Sequence, residues 1–189
     1  MDNIYCYPGT NVLINKLNIK DSSVLSEVEG KLSSLRIHQM EKTPITGNFD
    51  LLHLQAIHRF IFQDIYEWAG ELRTLEIHKE NSFCMAMQIP AYANDIFSRL
   101  KQDKYLNNLD RDNFILKLSA LFSDINALQL FREGNGRTQR EFIKLLVRYN
   151  GYDINFSHVS DDDMIQASIS SFYKDIDLMN YLIRKCLEW

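Results

Sequence analysis

Between Arg111 and Leu128 the apolar residues Phe114, Leu118, Leu121, Ile125 and Leu128 recur every three or four positions. That spacing matches the turn of an α-helix and commits one unbroken stripe to burial, so this segment is expected to be a central helix. Weaker stripes flank it. Leu25, Val28, Leu32 and Leu35 follow Asp21, an N-cap type, and Leu54, Ile57, Ile61, Ile65 and Trp68 run from Asp50 to a stop at Gly70. Tyr92, Ile96 and Leu100 follow Pro90, and Phe142, Leu145, Leu146 and Tyr149 precede Asn150-Gly151. Ser160 with Asp161, Asp162 and Asp163 reads as a helix start, and Leu178, Leu182 and Cys186 mark a last helix. One segment departs from this period. Arg73 to His78 alternates with period two, Ser82 to Met87 is a candidate return strand, and Lys79-Glu80-Asn81 suits the turn. With only 7 Gly and 3 Pro, long packed helices are favoured over a turn-rich β fold. The reading is all-α: one domain over 1–189, an extended arm at 1–20 with a turn at Pro8-Gly9-Thr10, six to seven helices, and one β-hairpin at about 72–88.

Composition bounds the function. A length of 189 residues closes one hydrophobic core. The net charge of -4 and the lack of a basic tract argue against nucleic acid as partner. Cys6, Cys84 and Cys186 are odd in number and far apart, which suits a reducing compartment better than a disulfide framework. No signal peptide opens the chain, and no apolar run approaches the roughly 18 residues of a membrane helix. A soluble, cytoplasmic protein is expected.

The chemistry is expected at Phe131-Arg132-Glu133-Gly134-Asn135-Gly136-Arg137-Thr138-Gln139-Arg140. Two glycines flanking Asn135 let the backbone turn tightly and approach a ligand closely. The helix that follows offers unpaired N–H groups and the positive end of its dipole to an anion. Arg137 and Arg140, three apart, can face the same phosphates. Glu133 can ligate Mg²⁺ together with phosphate oxygens. The bland alternative is a Gly-rich interhelical loop carrying two surface arginines.

This segment resembles the signature of Fic domains (the filamentation-induced-by-cAMP, or Fido, family), HPFx(D/E)GNGRxxR. Tyr7-Pro8-Gly9-Thr10 with Leu13, Asn15, Lys16 and Leu17 is similar to the family as well. So are Gly47 to Asp50 with His53, Leu54, Ile57 and His58, and the run from Phe62 to Arg73. The likeness covers roughly residues 5 to 185. It implies a helical fold and an enzyme that moves AMP from ATP onto a hydroxyl side chain of a target protein; some members carry phosphocholine or act as kinases. It also implies Glu133 on Mg²⁺, and the Gly134–Gly136 backbone with Asn135 as an anion hole. Arg137 and Arg140 would contact the β- and γ-phosphates, and Phe131 would anchor the loop. The hairpin would be a flap on which the target segment pairs by β-augmentation.

The first two residues of the signature are His and Pro in the family and Gln129 and Leu130 here. That His takes the proton from the attacking hydroxyl. A Gln amide has no nitrogen that titrates near neutral pH, so Gln129 can position a hydroxyl but cannot be a general base. Slow or absent transfer with retained nucleotide binding is expected. No other histidine is an evident substitute: His53 and His58 face different sides of one helix, His78 lies in the hairpin, and His38 and His158 have no partner. Many family members are restrained by a glutamate in a pattern (S/T)xxxE(G/N). No full match occurs, since Glu29-Gly30 is preceded by Leu25 where Ser or Thr is needed. A separate small antitoxin-like protein is one source of such a glutamate. The rival readings are a non-catalytic interaction module and a transferase of altered chemistry.

Overall fold

The computed structural model describes residues 4–76 and 84–188. Seven helices appear in chain order: α1 (Ser22–Lys42), α2 (Leu51–Phe62), α3 (Ile89–Gln102), α4 (Arg111–Leu128), α5 (Asn135–Tyr149), α6 (Asp161–Phe172) and α7 (Asp177–Cys186). Their starts follow local chemistry. The carboxylates of Asp21, Asp50 and Asp110 accept first-turn N–H groups of α1, α2 and α4. Ser160 and Asp163 cap α6 reciprocally.

Helix α4 is the centre, touching α3, α5, α6 and α7, while α2 lies between α1 and α5. All five residues of its stripe are buried, as the spacing predicts. Elsewhere the pattern needs correction. In α1 the buried positions are Leu25, Glu29, Ser33 and Met40, and Leu35 is exposed. The inward face of that helix is partly polar because it meets a guanidinium, described below. Helix α2 ends at Phe62, where Ile65 and Tyr66 both donate to the Phe62 carbonyl, and does not continue to Gly70. The chain folds back there, burying Ile65 and the Tyr66 ring.

The arm turns as expected at Pro8-Gly9-Thr10, with Tyr7 N–H on Val12 O at 2.9 Å and Ile14 N–H on Tyr5 O at 2.8 Å. Among the described residues the one sheet is a short antiparallel pair, β1 (Asp153–Ile154) with β2 (Leu187–Glu188), which sets Ile154 opposite Leu187. Strands this short show no alternation to read. Of the expected hairpin, residues 72–76 form no strand, and Ala86–Gln88 is a 3₁₀ turn leading into α3. Its middle, residues 77–83 with His78 and the Lys79-Glu80-Asn81 turn, lies outside the described residues. No helix among the described residues is long and apolar enough to cross a membrane.

Candidate functional site

The site is the connection from α4 to α5. Helix α4 is closed by Gln129, which adopts the left-handed conformation (φ 41°, ψ 63°) uncommon for a residue with a Cβ. Its backbone N–H donates to Asn126 O at 3.2 Å, and its side-chain Nε2 donates to Asn126 O at 3.1 Å and to Asn126 Oδ1 at 3.3 Å. Because a carbonyl can only accept, the Nε2 end of the amide is assigned by these partners. The other end, Oε1, carries no hydrogen bond among the described residues.

Leu130 and Phe131 then plunge into the core. Phe131 stacks on His58, with ring centroids 3.9 Å apart and an 18° interplanar angle. His58 is a junction. Its Nδ1 accepts the Gly70 N–H at 2.8 Å, which makes Nε2 the protonated nitrogen, donating to the Glu133 carbonyl at 3.0 Å. Burial pushes the His58 pKa down to about 4. The bond to the Glu133 carbonyl opposes that shift, and the Arg137 charge adds to it. His58 is a neutral strut under the loop, whereas the His53 ring bridges Phe49 N–H and Ile45 O in the segment before α2.

The two glycines have different reasons. Gly134 has φ 78°, and a Cβ there would drive into the Phe62 ring. Gly136 lies in the first turn of α5, and a Cβ there would meet only Arg140 Nη1, at 3.7 Å. Neither the fold's space nor its backbone requires glycine at 136. What its absent side chain leaves open is the approach to the end of α5. That end is uncapped: Gly134 is the N-cap and supplies no side-chain acceptor to the first turn. Asn135 differs from the expectation. Its Oδ1 accepts Phe131 N–H and its Nδ2 donates to Phe131 O, both at 2.8 Å. The amide locks the loop, leaving only the backbone N–H of Asn135 for an anion.

Glu133 is half-exposed at the cleft rim. Its Oε1 accepts the Gly134 N–H at 2.8 Å and lies 3.8 Å from Arg137 Nη2, while Oε2 is without a partner among the described residues. Arg137 is largely enclosed. Its Nη2 pairs with Glu29, its Nη1 donates to Ser33 Oγ at 2.9 Å, and its guanidinium lies over the Phe62 ring at 4.8 Å. The Tyr66 hydroxyl donates to the other oxygen of Glu29. Burial, with the Glu29 carboxylate beside it, pushes the Tyr66 phenol far above its ordinary range. Among the described residues Arg140 is held only by Asp161 at 3.6 Å, whose side chain is 88% exposed. From sequence Glu29 is weighed as a restraining glutamate and set aside, His58 is weighed as a base and set aside, and Ser33 and Tyr66 are given no role in the site. The repeat of polar residues four apart in α1 was the available sign.

These groups line one cleft of about 650 Å³ between α4, α5 and α6. Gln129, Glu133, Gly134, Gly136, Arg137 and Arg140 form its polar side. Met164, Ile165, Ile169 and Phe172 of α6 form an apolar wall not foreseen from sequence. A second hollow of about 600 Å³, between α2 and α3, shares none of these residues.

The fold and site define a class: a helical protein whose central loop presents an uncapped helix N-terminus between a carboxylate and two arginines. The Fic/DOC family model matches residues 48–147, and the chain belongs to that family. It is 43% identical over 97% of its length to protein adenylyltransferase VbhT of Bartonella schoenbuchensis, of which it spans 38%. It is 39% identical to a Sinorhizobium fredii protein named probable protein adenylyltransferase y4lH, covering 96% of this chain and 94% of that one. Among solved structures, an N-terminal Fic domain from Bartonella quintana with bound ADP superimposes with TM-score 0.91 at 27% identity, covering 98% of this chain and 94% of that chain. BepC of Bartonella tribocorum with bound AMPPNP does so with TM-score 0.89 at 26% identity, covering 98% and 96%.

Proposed function

We propose that this chain binds ATP with Mg²⁺ in the α4–α5–α6 cleft, and that its transfer of AMP to a target hydroxyl is impaired by Gln129. The phosphates would lie on the first-turn N–H groups of Asn135, Gly136 and Arg137 and on the Arg140 guanidinium. The observation that carries the reading is Gly136, a helical glycine costing about 1 kcal/mol relative to alanine where the protein itself leaves room for a side chain. The apolar wall of α6 suits a nucleobase.

Mg²⁺ fits the donor set. Among the described residues no group of three His, Cys, Asp or Glu converges to hold a metal. An ion at Glu133 would take its remaining ligands from phosphate and water, the usual habit of Mg²⁺. When bound, it would neutralise phosphate charge and polarise the phosphoryl group.

In the transfer, the target hydroxyl oxygen bonds to the α-phosphorus, the bond to pyrophosphate breaks, and the hydroxyl proton must leave. Gln129 Oε1 can accept a hydrogen bond from that hydroxyl but cannot take its proton, which forgoes roughly 10²–10⁴-fold in rate. The target would dock on the 72–88 segment by backbone pairing.

Calorimetry with Mg-ATP tests binding, and a radiolabelled transfer assay of Gln129→His, alone and with Leu130→Pro, tests the missing base. The gain should fall on turnover rather than on nucleotide affinity. Brisk transfer by the unaltered chain would refute the role given to Gln129. A second reading, a non-catalytic interaction module, is favoured by the engagement of Arg137 with Glu29 and Ser33. Absence of measurable Mg-ATP binding would decide for it.

A further inference from the structure

Arg73 is fully buried and multiply hydrogen-bonded, and the signature does not include it. Its side chain has no exposure. A guanidinium carries five N–H groups in a fixed fork, and here four backbone carbonyls accept from them with a carboxylate at ion-pair distance. Nε donates to Gln129 O at 2.6 Å and Nη1 to Leu75 O at 2.9 Å. Nη2 donates to Cys84 O and, at 3.3 Å, to Leu128 O. The Glu76 carboxylate lies 3.5 Å from Nη1. Two of these carbonyls, Leu128 and Gln129, belong to the end of α4, where the helix has no N–H of its own to offer and its dipole is negative. The other two, Leu75 and Cys84, are the described ends of the 72–88 segment.

Backbone bonds run beside the fork. Arg73 N–H donates to Leu130 O at 2.9 Å and Cys84 N–H to Ala127 O at 3.3 Å. Glu76 Oε1 accepts the Ala86 N–H at 2.9 Å, crossing between the two ends. Gln129 sits in a conformation that surroundings must impose on a residue with a side chain. Arg73 brackets it, with Nε on its carbonyl and the main-chain N–H on the next one.

We propose that Arg73 is the positioning residue for position 129, fixing its left-handed backbone and joining it to the stretches 72–76 and 84–88. Arg73 touches neither nucleotide nor hydroxyl and acts through Gln129. A lysine keeps the charge near the end of α4 but cannot span acceptors on both sides, so charge and fork are separable.

The test is amide exchange and ¹H–¹⁵N spectra of the unaltered chain, Arg73→Lys and Arg73→Met. In both variants the Gln129 backbone amide should exchange at least about tenfold faster, with its side-chain NH₂ signals displaced and the Cys84 and Ala86 amides affected together. The Leu146 amide, in the buried C-terminal half of α5, should change less than about twofold. Gln129 signals unmoved while Cys84 and Ala86 shift would overturn the proposal, because Arg73 would then serve the segment alone. Collapse of the whole spectrum in both variants would also overturn it, making Arg73 a residue of the fold. A titration of the unaltered chain with Mg-ATP, read at Gly136, reports separately on the cleft.

Discussion

Arg137 and Glu29 are 108 residues apart in sequence and meet as an ion pair within the fold, with Ser33 and the Phe62 ring completing the enclosure of the guanidinium. The same arginine belongs to the signature loop and, through Glu29, ties α1 to the first turn of α5. Its two roles can be separated by measurement.

Arg137→Ala should destabilise the fold. Removing one partner of a buried pair costs about 3–5 kcal/mol, and the quarter exposure of Arg137 brings the expectation to about 2–3 kcal/mol. Sequence alone suggests the opposite, a solvent-accessible helix-start arginine whose loss barely moves stability. Urea unfolding of Arg137→Ala, Glu29→Gln and the double variant should show strong non-additivity. Additive effects would mean the pair is not coupled.

Arg140→Ala should separate binding from stability. Its one ion pair among the described residues is to a nearly fully exposed carboxylate, so unfolding should change by less than about 0.5 kcal/mol. Mg-ATP affinity should fall by about 1.5–3 kcal/mol, the scale of a hydrogen bond to a charged group. Unchanged affinity by calorimetry would remove Arg140 from the phosphate site.

The two glycines should respond oppositely to alanine. At Gly134 the added methyl meets the Phe62 ring at a positive φ, and a loss above about 2 kcal/mol is expected. At Gly136 the helix should gain about 0.5–1 kcal/mol, while Mg-ATP binding weakens because the methyl obstructs the approach to the first-turn N–H groups. Gly136→Ala that binds nucleotide normally would sink the argument from this residue.

His58 should make stability pH-dependent. The unfolded chain protonates this residue near 6.5 and the folded chain near 4, so the unfolded state takes up the proton first as pH falls through that window. Stability contributed by neutral burial is present above about 6.5 and lost progressively toward 4, by on the order of 3 kcal/mol. The neighbouring charge that opposes protonation is Arg137. Denaturation midpoints measured from pH 7 to 4 should fall, and in His58→Asn this part of the slope should vanish.

Much of the architecture was legible because it is local. The stripe of α4, the caps at Asp21, Asp50 and Ser160, and the turn at residues 8–10 each depend on neighbours in the chain. The site was legible as a motif but not as a set of contacts. Asn135 reads as part of an anion hole, yet its side chain is spent on Phe131; Arg137 reads as exposed, yet it is enclosed. The Arg137 outcome depends on partners in distant sequence, Glu29 and Ser33, which the stripe chosen for α1 missed because it counted only apolar residues. The Asn135 outcome is local and turns on the backbone groups of Phe131, four residues away. Arg73 could not be distinguished from a surface arginine, since its partners are backbone carbonyls, which leave no trace in residue identity.

The loose contact between Arg140 and Asp161 has a consequence for ionic strength. On the proposed function, a phosphate arriving at Arg140 would displace the carboxylate that sits there, so that one anion would be exchanged for another rather than a bare cation being neutralised. Asp161, 88% exposed, would return to water and to its own counterions. Added salt screens the contact that is lost as well as the one that is gained. If Arg140 holds phosphate as proposed, nucleotide affinity there would be set by the geometry of the fork more than by net charge, and should depend only shallowly on salt.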